Sequence, residues 1–259
     1  SATLADYEAA LRSITYENTS DSPSAATRTV SFAVNDGDAN SNTQTRDIAI
    51  TAVNDAPIDI SPNSFNVNEN TDTSGGYNIG TLSTTDPDTG DTFTYSIVGG
   101  ADASKFSIVG DQLRLSDGVL DFETKPTYSI TIRTTDSSGL TYDETLTVNV
   151  IDINEAPVIT SNGGGATVAI NVAENSTFVT TVTAADPDLT MQTLTFSISG
   201  GADASLFTID ANTGILSFVS GRDRENHTDA DLNGVYEVSV VVSDGTLIDM
   251  QNISVTIND

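Results

Sequence analysis

The chain is expected to be all-β, built as tandem Greek-key sandwiches, and three observations predict this. Apolar residues alternate with polar ones over short runs, the period of a strand with one buried face. Whole segments recur at a spacing of about 100 residues, the mark of a repeated structural unit. Asp outnumbers Glu by 28 to 9, a bias toward turns and away from helices, since Asp competes for local backbone hydrogen bonds.

The repeats fix the organisation. Gly99-Gly-Ala-Asp-Ala-Ser-Lys-Phe-Ser-Ile108 returns as Gly200-Gly-Ala-Asp-Ala-Ser-Leu-Phe-Thr-Ile209. Asp86-Pro-Asp88 returns as Asp186-Pro-Asp188, Asp121-Phe-Glu123 as Asp223-Arg-Glu225, and Asn54-Asp-Ala-Pro57 as Asn154-Glu-Ala-Pro157. Residues 56–155 and 156–259 are therefore read as two full domains. Residues 1–55 match only the back half of one, so the chain is expected to belong to a longer array.

Taken in order, the first segment opens with Leu4, Tyr7, Leu11 and Ile14 at helical spacing, which predicts a short amphipathic helix. Two alternating strands follow, around Val30–Val34 and Ile48–Ile50. Two or three strands cannot bury a pair of facing sheets, so this segment is not expected to close as a domain. Each full repeat carries about seven short β-rich runs separated by Gly, Pro, Asp and Asn. That count reads as an immunoglobulin-like sandwich without a disulfide. The strongest runs set Tyr128, Ile130 and Ile132, Tyr236, Val238, Val240 and Val242, Leu146, Val148 and Val150, and Ile253, Val255 and Ile257 on single faces.

Composition narrows the function. Nine basic residues stand against 37 acidic ones, for a net charge of -28. Nucleic acid is thereby a poor partner, because a phosphate backbone needs a basic surface. No apolar stretch is long enough for a transmembrane segment. Without Cys there is no disulfide, thiolate or Cys-ligated zinc. Paired carboxylates could suggest glycoside hydrolysis, but a chain with no Trp and 6% aromatics lacks sugar-binding surfaces, and no enzyme is expected. His227 sits in an acidic loop with Asp229, Asp231 and Asn233 and reads as a solvated loop histidine. Asp102 and Asp203 read as turn residues of the Gly-Gly-Ala-Asp loop.

The acids cluster at strand ends: Glu69, Asp86, Asp88, Asp121, Glu123, Asp136, Asp152 and Glu155 in one repeat, with the amide Asn154 among them. Strand ends gather at the poles of a sandwich. Carboxylates about 4 Å apart at an effective dielectric near 20 repel by about 4 kcal/mol per pair. A hard cation with 6–8 oxygen ligands, Ca²⁺, is the partner that such a surface needs.

Here the motifs resemble the cadherin repeat, and in particular the cadherin-like repeats of large bacterial surface adhesins, including the RTX class. Those repeats carry an early Glu, an Asp-x-Asp, an Asp-x-Glu, a late Asp near Gly, and an acidic linker ending in Pro. This chain has Glu69, Asp86-Pro-Asp88, Asp121-Phe-Glu123, Asp136 and Asp152-Ile-Asn-Glu-Ala-Pro157, then Glu174, Asp186-Pro-Asp188, Asp223-Arg-Glu225 and Asp244. The resemblance covers nearly all of residues 56–259.

It implies a calcium set of Glu69, Asp121, Glu123, Asp152, Asn154, Glu155, Asp186, Asp188 and Asp244 at the second linker. At the first it implies Asn54, Asp55, Asp86, Asp88 and Asp136, with Asp6 and Glu8 as further candidates. Glu174, Asp223, Glu225 and Asp259 would form a half-site. The second linker is one residue shorter than the family's, which implies two ions rather than three. The implied function is a calcium-rigidified structural segment of a secreted or cell-surface adhesin, serving cell adhesion or biofilm. Its partners would be calcium ions and neighbouring repeats of the same chain. The alternative is a module binding a cell-surface glycan or another copy of the adhesin.

Overall fold

The computed structural model of the chain describes residues 3–35, 37–188 and 192–259. It divides into two compact units, Ser1–Asp121 with Lys125–Ile151, and Phe122–Thr124 with Asp152–Asp259.

The first unit begins with the helix Leu4–Arg12. Thr3 caps it, its hydroxyl and backbone both bonded to Asp6 in a capping box. The helix ends at Arg12, two residues before Ile14, and its C-cap Ser13 turns both amide and hydroxyl back onto the Ala10 carbonyl. Strands Arg28–Phe32 and Gln44–Ile48 then pair antiparallel, with Val30 opposite Arg46 and Phe32 opposite Gln44. These strands lie slightly N-terminal to the alternation that predicts them. None of the described residues 3–55 is buried, and Leu4, Leu11 and Ile14 of the helix face remain exposed.

The sandwich of this unit follows. One sheet orders its strands Ser64–Asn68, Thr141–Ile151, Thr127–Thr135 and Thr94–Gly99. The other contains Tyr77–Thr81, Gln112–Leu115 and Phe106–Val109, and Asp59–Ser61 and Ser83–Thr85 form a separate two-stranded pair. The expected seven runs appear as nine segments because two runs are broken. The first breaks at Pro62, which has no amide to give to a ladder. Asp59–Ser61 pairs antiparallel with Ser83–Thr85, and Ser64–Asn68 then pairs parallel with Thr147–Ile151 of the four-stranded sheet.

Alternation delivers the core as the sequence patterns predict. Ile130, Ile132, Leu146 and Val148 have no exposed surface, and Tyr128 and Val150 retain 3%. Each such aliphatic contributes roughly 1.5–3 kcal/mol of burial.

The second unit repeats the plan. Thr167–Ala173 pairs parallel with Ile248–Asn258, followed by Val235–Ser243 and Thr195–Gly200; Phe178–Thr181, Ile215–Phe218 and Phe207–Ile209 form the facing sheet. Phe207 stacks on Phe218 at 4.5 Å, and Phe218 meets the edge of Tyr236 at 5.3 Å.

The Gly-Gly-Ala-Asp loops press against a neighbouring strand in both repeats. At Gly100 (φ +103°) a Cβ would fall 2.4 Å from Ile130 Cα, and at Gly201 (φ +107°) 2.5 Å from Val238 Cα. Only glycine satisfies both the backbone and the space. Asp102 accepts the Ser129 amide at 2.8 Å and pairs with Lys125 at 2.6 Å; Asp203 accepts the Glu237 amide at 2.8 Å.

Candidate metal centre

Each sandwich gathers acids around its Asp-Pro-Asp turn. In the first unit Asp88 donates its amide to Asp86 Oδ1 at 2.8 Å, which folds the turn back on itself. One oxygen from each of Asp86, Asp88 and Asp91 lies within 4.8 Å of the others. Asp86 Oδ2 and Asp91 Oδ2 are buried with no hydrogen-bond partner among the described residues. Asp136, 6% exposed, closes the last hairpin by accepting the amides of Ser138 and Leu140.

The linker before this sandwich is fastened to the same acids. Asn54 Nδ2 donates to Asp136 Oδ2 at 2.8 Å, and the Asp55 amide donates to Asp88 Oδ2 at 2.7 Å. Burial pushes the Asp136 carboxyl up, but the donors Asn54, Leu140, Gly139 and Ser138 outweigh it and hold the carboxyl low.

The second unit reproduces this arrangement. Asn154 Nδ2 donates to Asp244 Oδ2 at 2.9 Å, and the Glu155 amide to Asp188 Oδ2 at 3.2 Å. Asp186 Oδ2 and Asp188 Oδ1 are buried without hydrogen-bond partners among the described residues. Burial, and then the neighbouring Asp188 and Asp244 carboxylates, raise the pKa of Asp186. Asp244 goes the other way. Burial opposes its ionisation, but the Thr246 amide, Asn154 and the Leu247 amide bring it down to about 2.

One position differs between the repeats. Gln192 stands three residues before the strand Thr195–Gly200, as Asp91 stands before Thr94–Gly99. Its Nε2 donates to Asn154 Oδ1 at 2.7 Å and Asp188 Oδ2 at 3.0 Å. An amide thus occupies, in one repeat, the place of a carboxylate in the other. Sequence reasoning missed both residues; the signal available was Gly90, whose left-handed turn (φ +96°) brings the next residue back over the Asp-Pro-Asp turn. The concavity beside Asp186, Asp188 and Gln192, about 310 Å³, has no aromatic wall among the described residues.

The remaining acids lie at the other pole. Glu174, Glu225 and Asp259 place oxygens within 4.8 Å of one another, and Arg224 pairs with Asp259 at 2.5 Å. Asp223 stays out of this trio; its Oδ1 accepts the amides of Glu225 and Asn226. In the preceding repeat Glu69 is 3% exposed and donates its amide to Ile151 O at 3.1 Å, one residue before Asp152. Oxygens of Glu123 and Asp152 approach within 4.8 Å. The Asp121 carbonyl accepts the Lys125 amide, closing the turn that carries Glu123. Asp6, one of the further candidates, is taken up by the helix cap: its Oδ2 accepts the Thr3 amide and hydroxyl at 2.7 and 2.8 Å.

The donors are oxygens throughout, a set suited to a hard divalent cation and not to zinc. The unpartnered buried oxygens of Asp86, Asp91, Asp186 and Asp188 fit such an ion, because carboxylates removed from water need positive charge.

The cadherin domain model matches residues 63–151 and 168–258. Cadherin-8 of Mus musculus is 32% identical over 203 residues, covering 71% of this chain and 25% of the relative. Cadherin-related family member 2 of Homo sapiens is 32% identical over 190 residues, covering 68% and 14%. The chain thus spans a quarter or less of the length of these relatives. Among solved structures, human protocadherin-24 EC1-2 superposes with a TM-score of 0.56 at 23% identity, covering 80% of this chain and 99% of that one. No helix among the described residues is long and apolar enough to cross a membrane. The fold is that of cadherin extracellular domains. With two domain matches that span more than half of its length, the chain belongs to the cadherin family.

Proposed function

We propose that this chain is a calcium-binding, calcium-stiffened segment of a cell-surface or secreted adhesion protein. One observation carries the reading. In both sandwiches the preceding linker is hydrogen-bonded to the acids of the Asp-Pro-Asp turn and the last hairpin, and carboxylate oxygens of that turn are buried without a hydrogen-bond donor among the described residues. Ca²⁺ there would draw on Asn54, Asp55, Asp86, Asp88 and Asp136 at the first linker. At the second it would draw on Asn154, Glu155, Asp186, Asp188 and Asp244, with Glu69, Asp121, Glu123 and Asp152 from the preceding repeat. Its chemistry is neutralisation: acids that repel one another become ligands of one ion, and the linker loses freedom to bend. The domain boundaries 1–55, 56–155 and 156–259 belong to this proposal.

Membership of a family of adhesion proteins supports the adhesive role. The finer reading, repeats of a large bacterial adhesin of the RTX class, rests on the motif resemblance; the curated relatives cited above are mouse and human proteins. The reading frame flanking residues 1–259 decides between them.

Thermal unfolding with EDTA and with Ca²⁺ tests the calcium reading. At Kd about 0.1 mM and about 1 mM free ion, each site adds roughly 1.4 kcal/mol. Two sites shift Tm by several degrees. Superimposable curves would refute the proposal. Small-angle scattering during a Ca²⁺ titration tests the stiffening separately.

A further inference from the structure

After the Asp-x-Glu motif the third repeat runs longer than the second: Tyr236 follows Glu225 by eleven residues, whereas Tyr128 follows Glu123 by five. The added chain carries Asp229-Ala-Asp231-Leu-Asn233-Gly234. We propose that this loop is a Ca²⁺ site of its own, lying within one repeat and independent of the linker acids.

Asp229 is 3% exposed. Its carboxylate is turned into the loop, where Oδ2 accepts the amides of Asn233 at 2.7 Å and Gly234 at 3.1 Å. Its other oxygen, Oδ1, is buried as well and has no hydrogen-bond partner among the described residues. A carboxylate serving only as a turn residue would leave that oxygen to water. Here it is held away from water. Asp231 accepts the Asn233 amide and side chain, and Asn233 Oδ1 lies 2.7 Å from the Val235 amide.

The pattern has a chemical logic. Oxygen-bearing side chains at alternate positions, followed by a glycine that permits the sharp turn, wrap a chain around Ca²⁺. Asp229, Asp231 and Asn233 stand at the first, third and fifth places of such a loop, and Gly234 (φ +82°) at the sixth. Gly234 also lies against the His227 ring, where a Cβ would come 2.9 Å from Cε1. The twelfth place, which in the strongest loops holds a bidentate Glu, is Val240. The site therefore falls in the weak range of extracellular modules, Kd about 10⁻⁴–10⁻³ M.

Both ends of the loop are pinned to the sandwich by Asp203, which accepts the Ala230 amide at 2.7 Å and the Glu237 amide at 2.8 Å. The nearby buried cation does not compensate Asp229. The Arg222 guanidinium lies 5.4 Å from the Phe218 ring and donates to Thr228 and Ser220, and it forms no ion pair among the described residues.

The test is a Ca²⁺ titration of the whole ¹⁵N-labelled chain. Saturable shifts of the Asn233, Gly234 and Val235 amides are expected. Asp231→Ala should abolish them while the linker amides of Asp55, Asp88 and Glu155 still respond, and should remove a single ion from the stoichiometry. Asp231→Asn, which keeps an acceptor and loses the charge, should weaken the loop response about tenfold. Loop amides that stay fixed in millimolar Ca²⁺, or that respond identically in both variants, would overturn the proposal whatever the linkers do. Linker amides that stay fixed while the loop responds would count against the linker reading alone.

Discussion

Asn154 donates its side-chain amide to Asp244 Oδ2 at 2.9 Å, which ties the linker to the last hairpin of the third repeat. This donor, after the Thr246 amide, holds Asp244 near 2 against an ordinary 3.8. Because the folded pKa lies below the unfolded one, the stabilisation is present above about pH 4 and is lost as pH falls toward 2. In EDTA, Asn154→Ala should move the Asp244 titration upward and narrow that window. An Asp244 carboxyl shift that titrates identically in both proteins would show that the linker contact is not made in solution.

Gln192 offers a second handle. Asp91 is a carboxylate at the matching place, so Gln192→Asp should tighten calcium binding at the second linker about tenfold. In EDTA the same substitution should lower Tm, because it adds a charge beside Asp186 and Asp188, where burial and repulsion already raise one pKa. Opposite signs in the two conditions are the signature. Equal effects with and without the ion would separate this position from the metal chemistry.

The glycine of the Gly-Gly-Ala-Asp loop is predicted to be intolerant for a reason unrelated to calcium. Gly201→Ala sets a methyl against Val238 Cα and places a side chain at φ +107°. A loss of about 3 kcal/mol is expected, in EDTA and in Ca²⁺ alike. A denaturant midpoint matching the parent protein would mean that the loop stands off the strand.

Residues 3–55 bury none of their described side chains, so their amides lack the protection that a closed core gives. Hydrogen exchange at Val30–Phe32 should be fast beside Ile130–Ile132 and Val238–Val242. Equal protection in a monomeric sample would show a packed domain.

The sandwich was legible because its strands alternate so regularly. Tyr128, Ile130 and Ile132, or Tyr236 through Val242, announce a buried face without reference to anything distant. The site was legible only as residue types in order. Nothing in the one-dimensional pattern says that Asp223 receives amides while Glu225 joins Glu174, or that Gln192 reaches Asn154 and Asp188. Those outcomes depend on turns a few residues long and on where the chain returns. His227 and its acidic neighbours read as a solvated loop because the residue that pins the loop at Ala230, Asp203, comes from a segment about 25 residues earlier in the chain.

The parallel pairing of the first long strand with the last has a mechanical consequence. Ser64 lies beside Thr147 and Asn68 beside Ile151, and Thr167–Ala173 runs alongside Asn252–Asn258 in the same sense. A chain under tension enters such a repeat at one end of this ladder and leaves at the other. The load therefore falls across all the ladder's hydrogen bonds together, in shear, instead of peeling them one by one. Each sandwich is thus built to resist pulling along its length and to fail abruptly.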